Sequence, residues 1–94
     1  MALMHSPKTQ ENAEILALEG LGWLAGDETG IARFMDQAGI DAATLRESAG
    51  SPGMGLAVLE FLLGHEDLLL RFCESQDIDP RAVHKARHQL GGET

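Results

Sequence analysis

RFMDQAGID occupies Arg33–Asp41, and RFCESQDID occupies Arg71–Asp79, 38 residues further on. The phrase is nearly the same twice, and its parts are structural. An aromatic anchor (Phe34, Phe72) precedes a turn, and an isoleucine (Ile40, Ile78) stands directly before an aspartate (Asp41, Asp79). Aspartate ahead of a new apolar-periodic stretch reads as a helix N-cap, and an apolar residue before the cap staples the angle at which the next helix begins. Each phrase is therefore predicted to end one helix and start another. Arg33 and Arg71 open the two phrases. Each either clamps a carboxylate of the neighbouring half or simply lies on the surface. Asp67, four residues before Arg71, supports an ordinary pair along one helix.

The same shift aligns the two halves without gaps. Leu18, Leu21, Leu24, Gly26 and Glu28 meet Leu56, Leu59, Leu62, Gly64 and Glu66, while Trp23 meets Phe61 and Leu45 meets Val83. The shared Gly, Arg-Phe and Ile-Asp in one register favour a duplication over chance agreement between two leucine-rich halves. Neither unit alone has enough apolar surface for a core, so the two are expected to pack through their first helices.

Local signals complete the outline. Thr9 is a plausible cap for a first helix reaching about Leu24, with Glu11 and Glu14 in its opening turns. Its Ile15, Leu16, Leu18, Leu21, Trp23 and Leu24 spread around most of the circumference, which predicts a central helix covered on several sides. Gly20 and Gly22 weaken it and are expected to admit a close neighbour. A second helix runs from about Glu28 to Ala38, with Gly39 as its stop. Asp41 caps a short third helix, AATLRES, closed by Gly50. Ser51-Pro52 starts a fourth, to about Leu63, apolar nearly all round except for Glu60. Gly64 breaks the chain before a fifth helix, Glu66 to Ser75. Asp79-Pro80 starts a sixth, to about Leu90, ended by Gly91-Gly92. The expected fold is all-α: a compact bundle of five or six short helices in two similar three-helix units, about 13–50 and 51–90. These form a single domain over 9–92 after a disordered tail at 1–8.

Composition agrees and narrows the function. In 94 residues, 44% are hydrophobic, Tyr is absent, and the only valines are Val58 and Val83, so helix formers dominate. The net charge is −8, which makes nucleic acid an unfavoured partner and suits a basic one. Cys73 is the single cysteine, so no internal disulfide forms and a reducing cytoplasm fits. MALMHSPKTQ is not a secretory signal, and no apolar run approaches the ~18 residues a membrane span needs.

Chemistry-bearing patterns are sparse. His84 and His88 share a helical face, but HKARH supplies no further ligand for a metal, so two solvated histidines are the simpler reading. Cys73 as a nucleophile needs a base, and His65 lies eight residues before it; a cysteine among leucines is more often a small buried apolar residue. Glu60 is either a buried carboxyl or the one solvent-facing position of its helix. SPGMG at Ser51–Gly55 opens a helix but matches no phosphate-binding fingerprint. The turns also have a helix-turn-helix look. Only the last helix, with Arg81, Lys85, Arg87 and Gln89, offers side chains suited to base edges.

Gly22-Trp23-Leu24, Arg33-Phe34, Ile40-Asp41, Phe61-Leu62-Leu63 and Phe72-Cys73 together resemble a family of short, functionally uncharacterised alphaproteobacterial proteins, a domain of unknown function. The resemblance covers about Glu11 to Gly92. It implies a bacterial cytosolic setting, no catalytic assignment and no site residues to carry over. The expectation is a non-enzyme without cofactor or metal: a protein-interaction or regulatory module with an unknown protein partner or self-association, and no membrane. Arg33, Arg71, Arg81 and Lys85 are its candidate contacts. Met35 and Met54 are candidates for an adaptable apolar strip. The alternatives are a DNA binder using Arg81–Leu90 and a carrier of a small apolar ligand between the units.

Overall fold

Six helices follow one another in the computed structural model: α1 Pro7–Ala25, α2 Glu28–Ala38, α3 Ala42–Ser48, α4 Pro52–Leu63, α5 Glu66–Gln76 and α6 Pro80–Gly91. The structure describes residues 7–91, with side chains from Asn12 onward. The architecture is an all-α bundle, and no strand occurs among the described residues. Among the described residues no helix is long and apolar enough to cross a membrane. Five of the predicted boundaries shift, the end of α1 by one residue from Leu24 to Ala25. α1 begins at Pro7, so Thr9 lies inside the helix rather than capping it. Proline is at home in a first turn because its missing N–H has no partner there anyway. The predicted tail at 1–8 therefore loses its last two residues to α1, and its remainder lies outside the described residues. α3 is capped at its C-terminus by Ala49, one residue before the predicted Gly50. α5 runs one residue past Ser75 to Gln76, and α6 one residue past Leu90 to Gly91.

The twin phrases build twin joints. At the end of α2 the Gly39 N–H donates to the Asp36 and Met35 carbonyls, and the Ile40 N–H donates to the Met35 carbonyl at 3.1 Å. At the end of α5 the Asp77 N–H donates to the Glu74 carbonyl and the Ile78 N–H to the Cys73 carbonyl at 2.8 Å. Both are Schellman closures, which satisfy the orphan carbonyls of a helix end and need one left-handed residue. Gly39 takes that conformation at φ 71°, and Asp77 takes it at φ 56°. The next residues cap the following helices. Asp41 accepts from the Thr44 N–H at 2.8 Å, and Asp79 accepts from the Arg81 N–H at 2.9 Å. Ser51 caps α4 by accepting from the Met54 N–H at 3.1 Å.

α1, α4 and α6 pack on one another and form the centre, with α2 against α1 and α4, and α5 against α4 and α6. The predicted α1–α4 contact is present and very close. A Cβ on Gly55 would stand 3.1 Å from the Ala17 Cβ, and one on Gly20 would stand 3.2 Å from Val58 and Leu62. Gly22, expected to serve the same purpose, faces open space. Phe34 and Phe72 are buried in the core as predicted, Phe34 edge-on to Phe61 at 5.3 Å and Phe72 tilted against Trp23 at 5.9 Å. Leu24, Val58, Leu59, Leu62, Leu68 and Val83 fill the rest without exposure.

Candidate functional site

The two arginines of the repeated phrase reach across the halves. Arg71 of α5 donates to the Asp27 carboxylate at the head of α2 at 2.9 Å, and its guanidinium lies 5.5 Å from the centre of the Trp23 ring. Arg33 of α2 lies 3.6 Å from Asp67 of α5. The pair along one helix between Asp67 and Arg71 is not formed; the carboxylate of Asp67 turns to the other half instead. Asp27 has a second task, accepting from the Gly30 N–H at 3.0 Å to cap α2. Beside this junction is a cleft of about 660 Å³, lined by Gly22, Trp23, Gly26, Asp27, Arg71 and Glu74.

α1 is covered by α4, α6 and α2, as predicted, but one face stays open. Ala13, Ala17, Leu21 and Leu24 are buried, whereas Ile15 and Leu18 each expose 48% of their surface. With Gly22 they follow a spacing of three and four residues and so share one helix face. Glu14 and Glu19 flank that face and are exposed. Its lower end opens into the Trp23 cleft through Gly22. α4 differs: only Glu60 and its first two residues, Pro52 and Gly53, are exposed. Met35 and Met54, the candidates for an apolar strip, are half-buried against the core. Ile15 and Leu18 escaped the sequence reading because an apolar residue on a helix reads as core. The available signal was the poverty of α3, whose only large apolar residue is Leu45 and which buries nothing completely.

The remaining candidates are dispersed. Cys73 is buried, and burial together with the Asp79 charge pushes its thiol pKa up, away from the thiolate a nucleophile requires. His65 turns its Nδ1 to the Phe61 carbonyl at 2.8 Å and stacks on that ring at 4.3 Å. Glu60 is solvent-facing and accepts from Arg87 at 3.0 Å. Arg81 bonds back to Asp79 at 2.8 Å; this ion pair lowers the Asp79 pKa and raises that of Arg81. His84, Lys85 and His88 are exposed on α6. Among the described residues no three His, Cys, Asp or Glu side chains come together as a metal site. At Gly20, Ala17 and Gly55 the seam between α1 and α4 is packed at contact distance.

A family described as a protein of unknown function, DUF3572, matches residues 10–93. The chain belongs to the DUF3572 family. The match spans α1 from its fourth residue and all of α2 to α6, with both twin joints and the open face of α1, in agreement with the resemblance to an uncharacterised family. No curated protein and no solved structure matches the chain.

Proposed function

We propose that this DUF3572 chain is a non-catalytic protein-interaction or regulatory module of the bacterial cytoplasm. The observation that supports this most is the exposed apolar face of α1. Ile15 and Leu18 stand a turn apart in water, on a helix whose opposite side is part of the core. Exposed apolar residues placed contiguously rather than singly mark surfaces that meet a partner. The dispersal of the polar groups agrees with it: Arg33, Arg71, Arg81 and Arg87 each hold a carboxylate of this same chain, and Cys73 is buried. The bacterial, cytoplasmic setting rests on the family resemblance and the single cysteine.

A DNA-binding role for α6 draws support from the row Arg81, His84, Lys85 and His88, which lies on one exposed face. It is the weaker reading. Asp79 neutralises Arg81, Glu60 neutralises Arg87, and the chain as a whole carries −8. The test is to tag the full chain at its native level and identify what co-purifies at two salt concentrations. A stoichiometric protein partner that persists at both is the expected result. A blank, or only salt-sensitive nucleic acid, contradicts the interaction reading.

A further inference from the structure

We propose that the Ile15–Leu18–Gly22 face of α1 is the docking surface for a basic amphipathic helix of a partner protein. The proposal rests on the interaction reading above and adds the place and the chemistry of the partner.

The argument begins with α4. Residues 38 positions after Leu18 and Gly22 are Leu56 and Glu60. On α4 both of these residues are met from within the chain, although Gly53, which corresponds to Ile15, and Glu60 remain exposed. Leu56 meets α6 at Gly91, 3.6 Å from where a Cβ on that glycine would stand, and Glu60 takes the Arg87 guanidinium at 3.0 Å. The cover is thus a helix with an apolar side, Val83 and Ala86, and a basic edge, Arg87. The corresponding helix of the first half is α3. It is only seven residues long, buries nothing completely and packs extensively on no other helix. The face it leaves on α1 has Ile15 and Leu18 half in water, and open space above Gly22.

Charge selects the occupant. Glu14 and Glu19 flank the strip, and Glu74 lines the cleft at its end; among the described residues none of the three pairs with a cation. Asp27, also in the cleft, is shared between Arg71 and its own helix. An apolar strip edged by unpaired carboxylates matches a helix with apolar residues at three- and four-residue spacing and Lys or Arg at their borders. The missing side chain at Gly22 lets such a helix approach closely. A second copy of this chain is a poorer fit, because it brings another net −8 to the contact.

Trp23 is the only tryptophan and lines the cleft, so its emission reports on this site. The full chain is titrated with a stapled helical peptide carrying leucines on one face and arginines at their borders, and separately with its glutamate counterpart. The expected result is a saturable change in Trp23 emission with the basic peptide, weakened by salt. It is lost in the Ile15→Ser/Leu18→Ser double variant and absent with the acidic peptide. Both substituted residues are exposed, and an unchanged far-ultraviolet circular dichroism spectrum verifies that the variant folds. Glu14→Gln/Glu19→Gln is the second variant, expected to weaken binding several-fold without altering the fold. Equal response to both peptides, or to neither, overturns the proposal. So does a concentration-dependent dimer that the double variant abolishes, which would assign the face to a second copy. Co-purification of a protein that depends on Ile15 and Leu18, with no response to the basic peptide, also overturns it while leaving the interaction reading in place.

Discussion

α3 and α6 occupy the same place in the two halves, and they end differently. Leu45 and Val83 are 38 residues apart; Leu45 is half-buried at the margin, whereas Val83 has no exposure at all. α6 wedges against both α1 and α4, while α3 stays outside. Their sequences explain this. PRAVHKARHQLG carries Val83, Ala86 and Leu90 down one side over twelve residues, while AATLRES offers Leu45 alone over seven. A helix of two turns with one large apolar residue gains little from burial, and α3 meets the core only at its edge through Leu45 and Ala49. The second half therefore has its last helix packed on α1 and α4, with Leu70 of α5 left exposed, while the first half leaves Ile15 and Leu18 of α1 exposed.

Substitution at the paired positions breaks the comparison most strongly. Val83→Asp places an uncompensated carboxylate in the core and should cost roughly 4 kcal/mol or more, enough to unfold a domain of this size. Leu45→Asp should cost less than about 1 kcal/mol, because the residue already reaches water. Urea unfolding of the two variants measures the contrast; equal losses would show that α3 belongs to the core. The helix starts give a smaller effect. Asp27→Ala removes the cap of α2 together with the Arg71 pair and should cost about 1–2 kcal/mol. The corresponding His65 makes no side-chain cap, so removing a cap is not what His65→Ala tests.

How far the sequence was legible follows the same line. The joints were readable because caps and stops are local chemistry: Asp41, Ser51, Gly39 and Asp79 act within four residues of themselves. Phe34 and Phe72 were readable as core from helical spacing. The Arg33–Asp67 and Arg71–Asp27 contacts were visible only as a choice between two partners, since the bundle geometry decides which carboxylate lies within reach. The exposed Ile15 and Leu18 were not legible from α1 itself. Their environment is set by the failure of α3, a tertiary consequence that no periodicity in α1 records.

Two finer differences sharpen the comparison. The left-handed joint residue is Gly39 in one half and Asp77 in the other. Asp77→Gly relieves the strain of a side chain at positive φ and should stabilise by about 0.5–1 kcal/mol, whereas Gly39→Ala introduces that strain and should cost about 1 kcal/mol. Thermal melts of both variants show opposite shifts if the joints are equivalent. The last effect is acid-dependent. The Thr44 N–H holds the Asp41 carboxyl below its ordinary pKa, and the Arg81 side chain and N–H do the same for Asp79. Both groups bind protons less tightly folded than unfolded. Their stabilisation is complete above the ordinary aspartate range and is lost as pH falls through the lowered values. Asp41→Asn and Asp79→Asn keep a capping oxygen, so each should flatten the acid limb of a melting-temperature profile while changing the neutral limb little.

Native-state amide hydrogen exchange of the full chain tests most directly whether the first half is left open. Exchange free energies span local opening to global unfolding, and packed helices stand at the upper end. The account predicts that interior amides of α6 exchange only through global unfolding, alongside α1 and α4, while those of α3 exchange through local opening at much lower free energy. Protection of α3 equal to that of α6 would contradict it, because α3 would then be a packed part of the core.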